Sequence, residues 1–205
     1  MALTKVIGNG LGTLGDGTAN DTKIVFDGNA QDYDIGLDDS ADALVIGKGS
    51  ALGTTTSMSF DENGIIIKPL QPAFLVRGTQ QNNIANGTTL QFGTEIFDQN
   101  SDFASNAFTA PVTGKYQLSF SIRFVELDSA ATFYIFRLET SNTNYNPIFS
   151  GNIFSSDVTY YSYQFSILAD MDANDTASIV FIQSGGTAQT DNDASNAFFS
   201  GHLVC

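Results

Sequence analysis

Hydrophobic and polar positions along this chain alternate with a period of two, and no stretch carries the apolar spacing of a long helix. The clearest run sets Tyr116, Leu118, Phe120, Ile122 and Phe124 against Gln117, Ser119, Ser121 and Arg123. Successive side chains of a strand point to opposite faces, so this run predicts an antiparallel strand with one face buried. A second run sets Tyr161, Tyr163, Phe165 and Ile167 against Ser162, Gln164 and Ser166. Further strands are expected at 73–77, 88–92, 132–138, 177–183 and 197–204, all bounded by Gly, Asn, Asp or Ser. Many short strands at this spacing predict an all-β sandwich or jelly roll.

Ahead of these runs the pattern continues on a smaller scale, with strands expected at 22–26, 33–37, 43–46, 58–60 and 65–68. Asp27-Gly28, Asp38-Asp39, Gly47 and Asn63-Gly64 stand at their ends, where tight turns want residues tolerant of unusual backbone angles. Strands this short bury little surface in one chain, which implies that the region needs partner copies. Pro69 and Pro72 mark an extended connector. Three parts are therefore expected: a Gly-rich attachment segment at 1–20, a β-rich stalk and trimerisation region at 21–72, and a head domain at 73–205.

Composition removes several function classes. The chain has 205 residues, 42% of them hydrophobic, with 17 Phe, 7 Tyr and no Trp, enough apolar material for a real core. One Cys and one His supply neither an internal disulfide nor a zinc site of the usual nitrogen and sulfur kind. The formal net charge is −14. No Lys or Arg follows Arg137, while Glu139, Asp157, Asp170, Asp172, Asp175, Asp191 and Asp193 do. Affinity for nucleic acid comes largely from basic side chains that displace counterions, so no nucleic-acid partner is expected, nor an anionic membrane. No apolar stretch is long enough to span a bilayer and no export signal is visible, so synthesis in a cytoplasm and no membrane insertion are expected.

The segment Phe108-Thr109-Ala110-Pro111-Val112-Thr113-Gly114-Lys115-Tyr116-Gln117-Leu118-Ser119-Phe120 resembles the signature of the complement q-type globular head, a jelly roll related to tumour necrosis factor. The chain end, Phe198-Phe199-Ser200-Gly201-His202-Leu203, resembles that family's last strand. The resemblance spans 73–205 and implies a ten-stranded jelly roll that trimerises through an aromatic-rich side. Residues 1–6 and 26–47 look like modules of bacteriophage tail-fibre and virion-appendage proteins. That second resemblance implies an intertwined trimeric stalk on a virion.

Individual constellations add little chemistry. Gly10-Leu11-Gly12-Thr13-Leu14-Gly15 matches a dinucleotide-loop spelling, but Asp16-Gly17-Thr18-Ala19-Asn20-Asp21 is a poor start for the helix that such a loop requires. A flexible attachment segment is expected there. Asp170, Asp172 and Asn174 have the opening spacing of a calcium loop, although Asp175 stands where Gly is wanted. They are the candidate metal ligands, with calcium the candidate ion and no other cofactor expected. His202 has no nucleophile partner in the sequence, so no enzyme is expected. Asn142, Asn144, Tyr145, Asn152, Asp191, Asn192 and Asp193 lie in polar segments suited to hydrogen bonding with sugars, and are the candidate receptor-binding positions. The expected function is a homotrimeric virion fibre or knob whose heads bind a host surface glycan or protein, its N-terminus joining other virion proteins. A purely structural fibre or decoration protein, and a complement q-like lectin, are the alternatives.

Overall fold

The structure, a computed structural model, describes residues 14, 15 and 17–205. Gly10 to Thr13 of the dinucleotide-loop spelling, and most of the expected attachment segment, lie outside the described residues. The chain divides into two compact units, 1–70 and 71–205.

In the first unit, strands β1 (Thr22–Phe26), β2 (Tyr33–Asp38), β3 (Ala43–Lys48), β4 (Thr56–Phe60) and β5 (Ile66–Ile67) form an antiparallel meander in chain order. Its turns are closed by the short acidic side chains that the sequence places there. The Asp61 carboxylate accepts the backbone N–H groups of Asn63 and Ile65 at 2.9 and 2.8 Å, and Gly64 takes the left-handed φ of +76° that closes the turn. The Asp38 carboxylate accepts from the Ser40 hydroxyl and the Ala41 N–H at the β2–β3 turn.

The second unit contains β6 (Ala73–Gly78), β7 (Thr88–Thr89), β8 (Phe92–Asp98), β9 (Phe103–Ala104), β10 (Ala107–Thr109), β11 (Gly114–Leu127), β12 (Ala131–Thr140), β13 (Asn144–Tyr145), β14 (Ile148–Phe149), β15 (Val158–Met171), β16 (Thr176–Gly185) and β17 (Asp191–Leu203). A front sheet runs β15-β11-β17-β6-β8 and a back sheet β13-β12-β16-β10-β9, with β14 also on β12 and β7 on β16. The chain is all-β and this unit is a jelly-roll sandwich. Strands β13 and β14 lie along the same edge of β12, pairing Tyr145 with Leu138 and Ile148 with Ile135. Pro147, which has no N–H to donate, interrupts what would otherwise be one edge strand.

The alternation read from sequence fills the space between the sheets. Tyr116, Leu118, Ile122 and Phe124 of β11 are fully buried, facing Tyr134, Phe136, Leu138 and Phe181 of the back sheet within one core. Rings stack closely: Phe124 on Phe136 at 4.2 Å between centroids and Phe74 on Phe108 at 4.7 Å. Each offset pair adds about 0.5–1.5 kcal/mol beyond area burial. Gly201 is required by this packing, because a Cβ there would meet Leu118 Cδ2 at 2.6 Å and Phe74 Cε1 at 2.7 Å. β11, β12, β15 and β16 run longer than expected at both ends, β17 begins earlier, and 88–92 splits: only Thr88–Thr89 joins the back sheet, while β8 begins at Phe92.

Candidate interaction surfaces

The candidate positions fall at two opposite ends of the sandwich and along one edge. At the first end, the turn after β15 brings together Asp170, Asp172, Asn174 and Asn142. The Asn142 side-chain amide donates to the Asp175 carboxylate at 2.7 Å and to the Asp170 carbonyl, and the Asp172 N–H donates to the same Asp175 carboxylate at 2.8 Å. Asn174 holds a left-handed φ of +75°, its N–H donating to the Ala110 carbonyl. The Asp170 carboxylate forms an ion pair with Lys115 Nζ. These acids thus serve turn geometry and strand pairing, and no group of three His, Cys, Asp or Glu side chains fit to hold a metal occurs among the described residues.

At the other end lie Asn152, Asp191, Asn192 and Asp193. Asn152 sits in the 3-10 turn Gly151–Ile153 and is exposed. The other three belong to β17, which begins at Asp191, so the strand expected from 197 starts six residues earlier. Asn192 is fully buried, its amide donating to the Thr79 carbonyl and its N–H to the Gln81 carbonyl; it holds the 79–83 segment and offers nothing to a ligand. The Asp191 carboxylate accepts the Asn83 N–H at 2.7 Å. Asp193 belongs to a bulge where six residues of β17, 192–197, oppose three of β11, 122–124, Ile122 pairing with Ala197 and Phe124 with Asn192. Its carboxylate turns back onto the Arg123 guanidinium, which also lies 5.2 Å over the Tyr160 ring. That hydrogen bond holds the Asp193 carboxyl below the usual carboxylate range. Asn144 is exposed and Tyr145 half-buried on β13, the back-sheet edge.

Two neighbouring carboxylates at this end escaped the sequence reading. Asp128 is buried and accepts from the Thr187 N–H, the Thr187 hydroxyl and the Ala130 N–H, donors that lower its pKa despite burial. Exposed Asp157 is lowered by the Ser129 N–H and hydroxyl and by the Gln189 amide. Together they staple 128–130, 157 and 186–189 to one another. Nothing in the sequence marks Asp128 apart from other turn acids, because two of its three donors belong to Thr187, 59 positions away.

A continuous surface is formed by the outer face of the front sheet, which the alternation had assigned to solvent. Register puts Ser166, Ser119, Ser200, Leu75 and Phe97 in one row across five strands, and Gln164, Ser121, Phe198 and Arg77 in the next. Ser119 and Ser166 share a 2.7 Å hydrogen bond, and Gln117 donates to Ser166. A shallow depression of about 410 Å³ lies over Ser119, Ser121, Gln164, Ser166, Phe198 and Ser200. Phe97, Leu168 and Tyr160 are exposed around it at 49, 52 and 63%. His202 lies on this face, exposed, opposite Gln117 and Ala73. Apart from Arg77, uncharged polar side chains interleaved with large apolar ones make a surface with little desolvation cost.

No family model matches the chain, and no curated protein matches its sequence. Among solved structures, the globular domain of the zebrafish complement 1qA protein is similar at 20% identity with a TM-score of 0.52, covering 66% of this chain and 98% of that one. Murine APRIL, at 9% identity and TM-score 0.47, covers 65% of this chain and 99% of its own. The Eiger tumour necrosis factor of S. frugiperda, at 8% identity and TM-score 0.48, covers 66% and 93%. The first of these likenesses establishes the fold.

Proposed function

We propose that the protein is a homotrimeric, non-enzymatic virion appendage, made in a host cytoplasm and displayed on the particle, whose clustered heads bind a host surface glycan or protein. The observation that carries this reading is the front face of the head: rows of Ser and Gln broken by Leu75, Phe97, Phe198, Leu168 and Tyr160, without a dense charge cluster in a chain of net charge −14. Identical chains of that charge repel except where their surfaces are locally neutral, so this face is where copies can meet. The complement q-type likeness, at the level of fold, agrees with trimers of this kind. The tail-fibre-like composition of 26–47 supports the virion setting and attachment to other virion proteins through 1–20.

Mechanistically, three heads held together present the same loop groups three times. Weak contacts through exposed amides such as Asn144 and Asn152 then combine by effective concentration, raising avidity on the order of 10²–10⁴-fold over one head. Native mass spectrometry of the full chain tests assembly, with a trimer expected; a stable monomer overturns the reading. Competition between purified protein and intact particles for host cells tests attachment, with blocked adsorption expected.

A purely structural fibre is the second reading. It is favoured by the internal use of the loop polar groups: Asn142 on Asp175, Asp191 on Asn83, Asp157 on Ser129 and Gln189. A trimer that neither adsorbs to host cells nor competes with particles supports that reading over receptor binding.

A further inference from the structure

The N-terminal meander buries the wrong residues for a sheet that stands alone. One of its faces holds Asp34, Gly36, Gly47, Ala43 and Val45, and these are the buried ones. Directly paired residues of an antiparallel sheet point to the same side, so register defines the opposite face as three rows. Phe26, Tyr33 and Lys48 form the first, Ile24, Ile35, Ile46 and Met58 the second, and Thr22, Leu37, Leu44, Phe60 and Ile66 the third. Ten large apolar side chains share this face with no carboxylate among them. Ile24, Phe26, Tyr33, Leu37, Leu44 and Ile66 are 45, 59, 49, 54, 37 and 54% exposed.

We infer that this face is the three-fold core of the N-terminal region: it packs against the same face of the other copies of this chain. The inference rests on the self-assembly part of the proposed function and not on host attachment. Its area decides the matter first. The exposed parts of these side chains amount to roughly 600–800 Å² per chain, above the few hundred Å² that a monomer leaves uncovered and close to the ~800 Å² per partner of a stable interface. Its chemistry decides the occupant. A face with no anion and a single cation, Lys48 at one corner, has no charge pattern to select a different protein. It must also be covered as soon as the strands form, since Ala43 and Val45 are the only hydrophobic side chains the meander fully buries among the described residues. A second and third copy of the chain carry the same face, and a closed ring of three leaves none of them open.

Cysteine cross-linking on the full chain, in a Cys205→Ser background, tests this. Ile46→Cys places a thiol at the middle of the face, and Ile67→Cys places one on the opposite face, where Ile67 pairs with Ser59. Mild oxidation is expected to link Ile46→Cys chains covalently, visible as dimers on denaturing gels, and to leave Ile67→Cys chains at least tenfold less linked. Equal linking of both variants, or none in either while the native mass remains trimeric, overturns the inference and leaves the proposed function standing. A monomeric native mass overturns both. Ile46→Asp supplies a second measurement: hydrogen exchange across 22–67 is expected to rise at least tenfold while 114–127 stays protected, and unchanged exchange overturns the inference.

Discussion

The two units use one residue alphabet in opposite ways. In the head, aromatic and aliphatic positions of β11, β12, β16 and β17 face one another across two sheets, and Tyr116, Phe124, Phe136, Phe181 and Phe199 reach full burial within one chain. In the meander, Ile24, Phe26, Tyr33 and Leu37 alternate as regularly yet remain exposed, because a single sheet has no second layer. Alternation specifies which face is apolar; a layer must then cover it. The head carries its own covering layer, and the apolar face of the meander has none within its own sheet.

The largest expected effect separates the two directly. Phe136→Ala removes a ring stacked on Phe124 and packed against Tyr163 and Phe181, and should cost the head about 3–5 kcal/mol. Phe60→Ala in the meander should leave the head's melting temperature unchanged and weaken the assembled state instead. Calorimetry of both variants over a range of protein concentrations checks this, the second alone showing a concentration-dependent shift.

Next comes Asp128. Asp128→Ala removes a buried carboxylate that three donors of Thr187 and Ala130 share, and should cost about 1–3 kcal/mol, read by chemical denaturation at pH 7. The sign with pH follows from its lowered pKa, a property shared with Asp193. Stability from these groups is fully present above the ordinary carboxylate value near ~4 and is lost as pH falls through their lower folded values. Asp102 opposes them: burial and the neighbouring Asp98 raise its pKa, so its contribution is unfavourable when ionised and is relieved on acidification. Denaturation followed from pH 6 to pH 2 should show the head weakening below about pH 4 in the parent and less steeply in Asp128→Ala.

Asp34 sharpens the contrast from the meander's side. It is 1% exposed, and neither carboxylate oxygen has a hydrogen-bond partner. Asp34→Ala is expected to stabilise 22–67 by about 1–3 kcal/mol, measured as slower hydrogen exchange there, since the lost group had no partner to leave behind. The smallest effects belong to ion pairs on the front sheet. Arg123→Ala, which removes both the Asp193 pair and the stack on Tyr160, should cost about 1 kcal/mol, and Lys115→Ala, whose pair with Asp170 is exposed, under about 0.5 kcal/mol. A reversed order in thermal melts would mean that the bulge at Asp193 does not depend on Arg123.

Much of the head was legible because period-two alternation is a local property. The run from Tyr116 to Phe124 lies within β11, and that from Tyr161 to Ile167 within β15. What escaped was short or long-range. The two-residue strands β9, β13 and β14 exist only because β10 and β12 offer them an edge. The polar segment 185–196 reads as loop from composition, yet Asp191 onward is strand, since Asn192 finds Thr79 and Gln81 more than a hundred residues away. Asn142 and the 170–175 turn were separate candidates in the sequence and are one hydrogen-bonded cluster in space.

The sequence by itself therefore determined the all-β class, the long strands of the sandwich and the apolar side of each, and a chain of net charge −14. These follow from side-chain alternation and composition, which need no knowledge of neighbours. Only the tertiary structure decided which apolar face is covered and which is open, which acids are spent on backbone donors, and how the Ser and Gln positions of β11, β15 and β17 join into one continuous face. Those outcomes depend on register between distant strands, and register is set by the packing of the whole sheet rather than by any one segment.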